Sequence, residues 1–318
     1  MINIISEYLK DKRCIVKNNE SLKEYNTFKI GGTAELLVMP ENRECLPGLI
    51  QIIKENNIRY YILGNGSNAL ISDKYFNGVF IILSRMNNID VRGDYIHADC
   101  GAGLNRLASI AKDNNLAGLE FAYGIPGTLG GAVVMNAGAY GGQMSDIIYA
   151  IEYLDLDTLE IKKIDAQAHG FSYRHSIFVG RDAPGAPQLS KCRLPGAPQN
   201  NKLILSCCLK LNAGEKSEIE AAMQKNMSAR KEKQPLEYAS AGSIFKRGEN
   251  YFAAKLIDDC GLKGASVGGA QVSEKHAGFI INKGGASCAD VINLIGHVKS
   301  VVFEKTGIKL EREVKIIE

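Results

Sequence analysis

The stretch that decides the reading is Gly124 to Gly142, GIPGTLGGAVVMNAGAYGG, in which seven of nineteen residues are glycine. A flexible linker of such glycine content carries Ser and other polar residues. Here the glycines alternate with Val, Met, Ala, Leu and a Pro, which are core residues. That combination predicts a half-buried backbone that comes close to something flat or charged, where a Cβ would be in the way.

Working outward, the first third alternates strand and helix signals. AELLVMP reads as a strand, NRECLPGLIQIIKENN as a helix and RYYILG as a second strand, a βαβ-like unit. The strand VFIIL, the hairpin IDVRGDYIHADCGAG and the helix LNRLASIAKDNN follow, with Leu104, Leu107, Ala108 and Ala111 on one helix face. IEYLDLDTLEIKKI reads as another hairpin. From about Glu215 a helix carries Ile219, Met223 and Met227 on one side and ends at Gln234-Pro235. A short helix YFAAKLIDDCG, glycine-rich strands and a long helix come next. The long helix opens with a capping box, Ser287 and Asp290, and buries Val291, Leu294, Ile295, Val298 and Val302. Gly307 stops it, and IKLEREVKII is read as a closing strand. RDAPGAPQLSKCRLPGAPQN, residues 181–200, holds four of the eight prolines and reads as an inserted surface loop.

Composition narrows the function classes. The chain has 318 residues, 45% hydrophobic and 23% charged, the profile of a globular protein of two or three domains. A net charge of +3 is too slight for a nucleic-acid binder. No apolar run is long enough to span a bilayer, and Glu7 and Asp11 interrupt any export signal, so a cytoplasmic location without membrane contact is expected. Eight cysteines without a CxxC pair and five histidines without ligand spacing point to reduced thiols and no protein-bound metal. Between Lys225 and Arg247 six basic residues face two acidic ones, a density suited to a phosphorylated ligand or to a solvated helix end.

A second glycine-bearing turn, Gly64-Asn65-Gly66-Ser67-Asn68-Ala69, formally satisfies the G-x-G-x-x-A dinucleotide fingerprint. No helix pattern follows it, and Asn77-Gly78 reads as a turn, so a Rossmann site is not expected. Such a turn still offers several N–H groups to a pyrophosphate; an ordinary tight turn accounts for it equally well. Two cradles about sixty residues apart fit one long dinucleotide better than two ligands. SYRHS is read as a strand with Arg174 opposite Tyr173 and His175, SAGSIFKR as a glycine-flanked serine, Ser243, and EREVKII as a strand bearing Glu313. Each has a bland structural reading, as has His276 in SEKHAGF.

Taken in order, YNTFKIGG, ILGNGSNALISD, LEFAYGIPGTLGGAVVMNAGAYGG, SYRHSIF, KQPLEYASAGSIFKR, VSEKHAGFIIN and REVKII resemble the UDP-N-acetylenolpyruvoylglucosamine reductases, from Tyr25 to Ile317. The resemblance implies an α+β chain: a two-part FAD-binding region of the vanillyl-alcohol oxidase type and a C-terminal α/β substrate-binding domain. The expected divisions are 1–75, 76–213 with the inserted loop 181–200, and 214–318. It implies FAD and NADPH as cofactors and a UDP-sugar substrate, with no obligate protein partner. By motif, Arg174 and Glu313 resemble the polarising pair and Ser243 the proton donor. Gly64, Asn65, Gly66, Ser67, Asn68, Gly124, Pro126, Gly127, Thr128, Gly130, Gly131 and Ala132 are expected at the cofactor. Lys233, Lys246, Arg247, His276 and Asn282 are expected at the substrate. The chain lacks the tyrosine-bearing loop some members place after the strand matching LILSCCLKL, so it resembles the shorter subtype. Another flavin oxidase on the same scaffold, or a flavin- or sugar-nucleotide-binding protein without catalysis, are the competing readings.

Overall fold

A computed structural model describes residues 2–165, 168, 170–179 and 201–318; the proline-rich insertion read at 181–200 lies outside them. Two compact units are present: residues 1–18, 35–65 and 77–228 form the first, and 19–34, 66–76 and 229–318 the second. Each has its own apolar core.

In the first unit, the strands Cys14–Ser21, Thr33–Pro40, Phe76–Ile82 and Tyr60–Leu63 form a sheet in that order, all but a few end residues belonging to this unit. Helices α1 (Ile2–Leu9) and α2 (Leu46–Glu55) pack against each other beside it. The two strands of the βαβ-like reading are not neighbours: Phe76–Ile82 lies between them, paired parallel to Tyr60–Leu63. The reason is burial. Every residue of Phe76–Ile82 except Asn77 is buried, whereas Tyr60–Leu63 is mostly half-buried, and the most apolar strand takes the central place. Asn77-Gly78 therefore sits inside a strand and not in the turn read from sequence.

The second sheet of this unit is antiparallel, in the order Ile161–Asp165, Ile148–Asp155, Lys202–Lys210, Tyr95–Asp99, Ile89–Arg92. Helix α3 (Leu104–Asp113) buries Leu104, Leu107, Ala108 and Ala111, the face read from its periodicity. The glycine-rich stretch holds a short helix, α4 (Leu129–Val134), which rests on Lys202–Lys210 and Tyr95–Asp99. Gly130 explains how close it comes. Its N–H donates to the Cys100 carbonyl at 2.7 Å, and a Cβ there would meet Cys100 Cβ at 2.8 Å. Cys100 and Cys207 are buried on this side of the sheet, and burial pushes the Cys100 thiol up to about 12 and Cys207 well above its ordinary value. Helix α5 (Lys216–Lys233) buries Ile219 and Met223, while Met227 is only half-buried.

The second unit carries an antiparallel sheet ordered Ala239–Ser243, Phe279–Asn282, Ala270–Val272, Ser266–Val267. It also carries α6 (Ala253–Asp259), α7 (Cys288–Thr306) and a parallel pair of Ala69–Ile71 with Lys315–Ile317. Helix α7 buries Val291, Leu294, Ile295, Val298 and Val302 and ends at Gly307, φ 72°, as its sequence predicts. Its start is capped three ways. Ser287 Oγ accepts from Asp290 N at 3.1 Å, Asp290 Oδ2 accepts from Ser287 N at 2.9 Å, and Asp73 Oδ2 accepts from Cys288 N at 2.6 Å. The nearby Asp73 carboxylate and burial, the larger effect, push the Cys288 thiol up to about 11.

Two strand readings fail. SYRHS is a tight turn, because Ser172 and His175 bond each other and leave Tyr173-Arg174 as the loop. IKLEREVKII is a strand only over Lys315–Ile317, with Arg312 in an isolated bridge to Phe245.

The capping box sets a stability test. Ser287→Ala is expected to lower stability by about 1 kcal/mol, seen as a lower urea midpoint by circular dichroism; an unchanged midpoint would mean that the Asp290 and Asp73 carboxylates hold the helix start without the hydroxyl.

Candidate functional site

In the first unit the two glycine-bearing loops meet. Gly64 ends the strand Tyr60–Leu63, and a Cβ on it would drive into Thr128 Oγ1. Asn65 Nδ2 donates to the Pro126 carbonyl at 2.7 Å. Thr128 is the residue before α4; its hydroxyl makes no capping bond to the helix and lies instead against Gly64 and Gly131. No helix follows GNGSN: the chain turns at Ser67-Asn68 into the strand Ala69–Ile71, so the Rossmann context is absent, as read.

The backbone donors tell which part of each loop is spoken for. Leu129 N and Gly130 N donate to Ala102 O and Cys100 O, and Gly124 N donates to Asn105 Oδ1 at 2.5 Å. The glycine at 130 and the burial of Ala132 are accounted for by packing. By contrast, within the first unit the N–H groups of Gly64, Asn65, Gly127 and Thr128 donate to no other described residue. Backbone N–H groups without internal acceptors, on side-chain-poor loops, fit a pyrophosphate, and the approach of a flat ring fits the same loops. The residues present thus suit a dinucleotide.

Arg174 belongs to the same unit. Ser172 N and His175 N each donate to the other residue's carbonyl at 3.1 Å, closing a two-residue turn. Arg174 occupies its second position with φ 55°, a conformation ordinarily left to Gly or Asn. Its guanidinium carbon lies 5.4 Å from the Tyr173 ring centroid.

In the second unit, Gly66 packs on Asn26: a Cβ at Gly66, φ 59°, would meet Asn26 Cα at 2.8 Å. The buried Asn26 closes the YNTFKIGG loop by donating to Leu22 O and Ile30 O at 2.8 and 2.9 Å. Sequence reading gave Asn26 no role. Asn68 is brought to Glu313: its Nδ2 donates to Glu313 O at 3.4 Å, and Lys315 N donates to Asn68 O. Glu313 N donates to Ile244 O at 2.8 Å, which sets Glu313 beside the residue after Ser243. Ser243 is half-buried at an irregularity of the strand pair, after Gly242 at φ 74°, and its Oγ reaches Phe245 O only at 3.5 Å.

The remaining sequence candidates of this unit divide. Lys246 Nζ pairs with Glu311 at 3.2 Å, and Lys246 N donates to Glu311 O. Arg247 begins the loop 247–252, which lines a cavity together with Tyr251 and Phe252. Lys233 is exposed in the last turn of α5 beside Arg230 and Lys231. Asn282 is occupied structurally: Oδ1 accepts from Gly284 N and Ala286 N, and Nδ2 donates to Phe28 O. His276 Nδ1 accepts from Gly278 N at 3.2 Å and its ring meets Phe279 edge-on, so the ring is held neutral and partly buried. Burial, with Lys263 adding to it, holds its pKa below the ordinary 6.5.

No group of three or more His, Cys, Asp or Glu placed to hold a metal, and no helix long and apolar enough to cross a membrane, occurs among the described residues. Residues 34–162 match the family described as FAD binding domain, and residues 234–317 match the C-terminal domain of UDP-N-acetylenolpyruvoylglucosamine reductase. The reductase of that name from Caldanaerobacter subterraneus subsp. tengcongensis is 44% identical over 317 residues, spanning 100% of this chain and 98% of that protein. The one from Clostridium novyi is 44% identical over 316 residues, spanning 99% and 96%. The crystal structure of UDP-N-acetylenolpyruvylglucosamine reductase from Thermus caldophilus superposes with a TM-score of 0.75 at 32% identity, covering 96% of this chain and 99% of that one.

Two outcomes are expected. Gly64→Ala, which forces Thr128 aside, purifies with less bound flavin than the parent, measured as visible absorbance per mole of protein; equal flavin content would detach Gly64 from the cofactor. His276 titrates below pH 6.5 by NMR of its ring protons. The folded state resists its protonation, so this contribution to stability is intact above pH 6.5 and is lost as the pH falls below it; a midpoint above 6.5 would contradict the burial argument.

Proposed function

Because the chain belongs to the UDP-N-acetylenolpyruvoylglucosamine reductase family, we propose that it reduces the enolpyruvyl ether of UDP-N-acetylglucosamine to UDP-N-acetylmuramate, using NADPH and FAD. The reaction belongs to peptidoglycan precursor synthesis, and the enzyme works in the cytoplasm on small molecules alone. The observation that carries the reading is the pair of loops at Gly64-Asn65 and Pro126–Thr128. They adjoin one another with side chains withdrawn and N–H groups uncommitted, inside a segment that matches a FAD-binding family.

A bound FAD would supply the hydride chemistry, linking NADPH to C3 of the enolpyruvyl group. The chain's own residues do the rest. Gly64, Asn65, Gly66, Ser67 and Asn68, with Gly127 and Thr128, hold the pyrophosphate through backbone N–H groups. Gly124, Pro126, Gly130, Gly131 and Ala132 keep the adjoining backbone narrow enough for the ring to lie against it. Arg174 and Glu313 stabilise charge as it develops on the substrate carboxylate, where preorganised groups act most strongly. A bare carboxylate at Glu313 would oppose an enolate, so Glu313 acts either protonated or with its charge hydrogen-bonded. Ser243 gives the proton to C2. A hydroxyl is a weak acid, so this step relies on a strongly basic carbanion and fixed geometry. The long 3.5 Å contact from Ser243 Oγ to Phe245 O leaves that proton weakly committed within the protein, which suits a donor. Lys233, Lys246 and Arg247 supply positive charge for the UDP pyrophosphate, and His276 and Asn282 shape the same pocket. Along the sequence these tasks are assigned to FAD-binding segments, 1–75 and 76–213, and a substrate-binding segment, 214–318.

Anaerobic mixing tests the reading. NADPH should bleach the bound flavin, and the enolpyruvyl sugar nucleotide, not simple alcohols or hydroxy acids, should restore its colour. Ser243→Ala is expected to keep the bleaching at the parent rate and to lose the recolouring, by about 100-fold or more; normal turnover of that variant would remove Ser243 from the mechanism.

A further inference from the structure

The turn that carries Arg174 is held from both sides by residues to which the reaction assigns no part. On one arm, the buried Asn136 donates from Nδ2 to Ser172 O at 3.2 Å. The same amide donates to Gln143 Oε1 at 3.3 Å, and Asn136 Oδ1 accepts from Ser145 N at 2.9 Å. On the other arm, Ser176, wholly buried, donates from Oγ to Val134 O at 2.7 Å and accepts from Phe178 N at 3.2 Å. Val134 is the last residue of α4 and Asn136 follows two positions later. Both clamps therefore grip the C-terminal end of that helix.

The other end of α4 begins beside Thr128, which lies against Gly64. Six helical residues span about 9 Å, so one short rigid element joins the cofactor loop to the arginine turn. The arrangement also explains the backbone at Arg174. A non-glycine residue with φ 55° is disfavoured by about 1 kcal/mol or more and persists only when its surroundings dictate it. Here the dictating contacts are a carbonyl bond on the residue two before Arg174 and a hydroxyl bond on the residue two after it. Asn136 is itself at φ 43°, a conformation asparagine tolerates better than other side-chain-bearing residues.

We infer that Asn136 and Ser176 are positioning residues for Arg174, fastening its turn to the C-terminal end of α4 so that the guanidinium is aimed at the substrate carboxylate. The inference rests on the catalytic role given to Arg174 above. Neither residue touches the reacting atoms; each acts through the turn. Asn136→Asp preserves size and the acceptor for Ser145 N but sets an oxygen against Ser172 O. Ser176→Ala removes the bond to Val134 O and leaves that carbonyl without its hydroxyl.

The test uses flavin-loaded enzyme and separates the two half-reactions. Asn136→Asp and Ser176→Ala should each leave flavin reduction by NADPH within about twofold of the parent and slow reoxidation by the enolpyruvyl substrate about 10- to 100-fold, the scale of a small misplacement. Combining Asn136→Asp with Arg174→Ala should be no slower than Arg174→Ala alone, because the clamp acts through the arginine. Independently of turnover, hydrogen exchange in residues 170–179 should quicken in both clamp variants. If Arg174→Ala reoxidises normally, the role of Arg174 fails and this inference with it. If Arg174→Ala is slow but both clamp variants are normal, only this inference is overturned. Equal slowing of both half-reactions, additive losses in the combined variant, or failure of both clamp variants to hold flavin would overturn it as well, since the residues would then be serving the fold.

Discussion

The constraint on which the first unit turns is the approach of two backbones, Gly64-Asn65 and Pro126–Thr128. They can lie this close only because position 64 has no side chain, and the Asn65 amide ties them together with a 2.7 Å bond to Pro126 O. That approach fixes where α4 starts. The packing of Gly130 on Cys100 fixes how the helix lies on its sheet, and its end fixes the turn at 172–175. A side chain at either glycine would move the helix and, with it, both of its ends.

The second unit solves a similar problem with strands. Glu313 is not on a regular strand, yet its backbone is held from two directions, by Ile244 O on its N–H and by Asn68 Nδ2 on its carbonyl. The parallel pairing of Ala69–Ile71 with Lys315–Ile317 follows immediately, so two segments far apart in sequence are zipped together next to Asn68 and Glu313. Ser243 is exposed to this arrangement through Gly242, whose positive φ interrupts the pairing with Phe279–Asn282. An irregular strand end is a common device for re-aiming one side chain.

What could be read from sequence was what repeats. The faces of α3 and α7, the capping box at Ser287 and the stop at Gly307 each depend on several residues at fixed spacing, and each is found where its pattern put it. The absence of a helix after GNGSN was legible for the same reason. Short, irregular segments were not. SYRHS alternates like a strand, but Ser172 and His175 bond each other, in a turn tied through Ser172 and Ser176 to Asn136 and Val134 some forty residues away. EREVKII reads as continuous strand, though only its last residues find a partner. Of the site, the glycine loops were legible as close-approach backbone. The clamp on Arg174 was not, because an asparagine among glycines reads as a turn former; its one advance sign is that a buried turn of this kind needs a positive φ.

The thiols carry a practical consequence. Cys100, Cys207 and Cys288 are buried, and burial raises the pKa of each thiol above its ordinary value. Alkylating reagents attack the thiolate, so these positions stay silent while the folded chain is intact and are unmasked by local opening. Cys100 and Cys207 sample the first unit and Cys288 the second, which gives the molecule built-in reporters for following the breathing of each half separately.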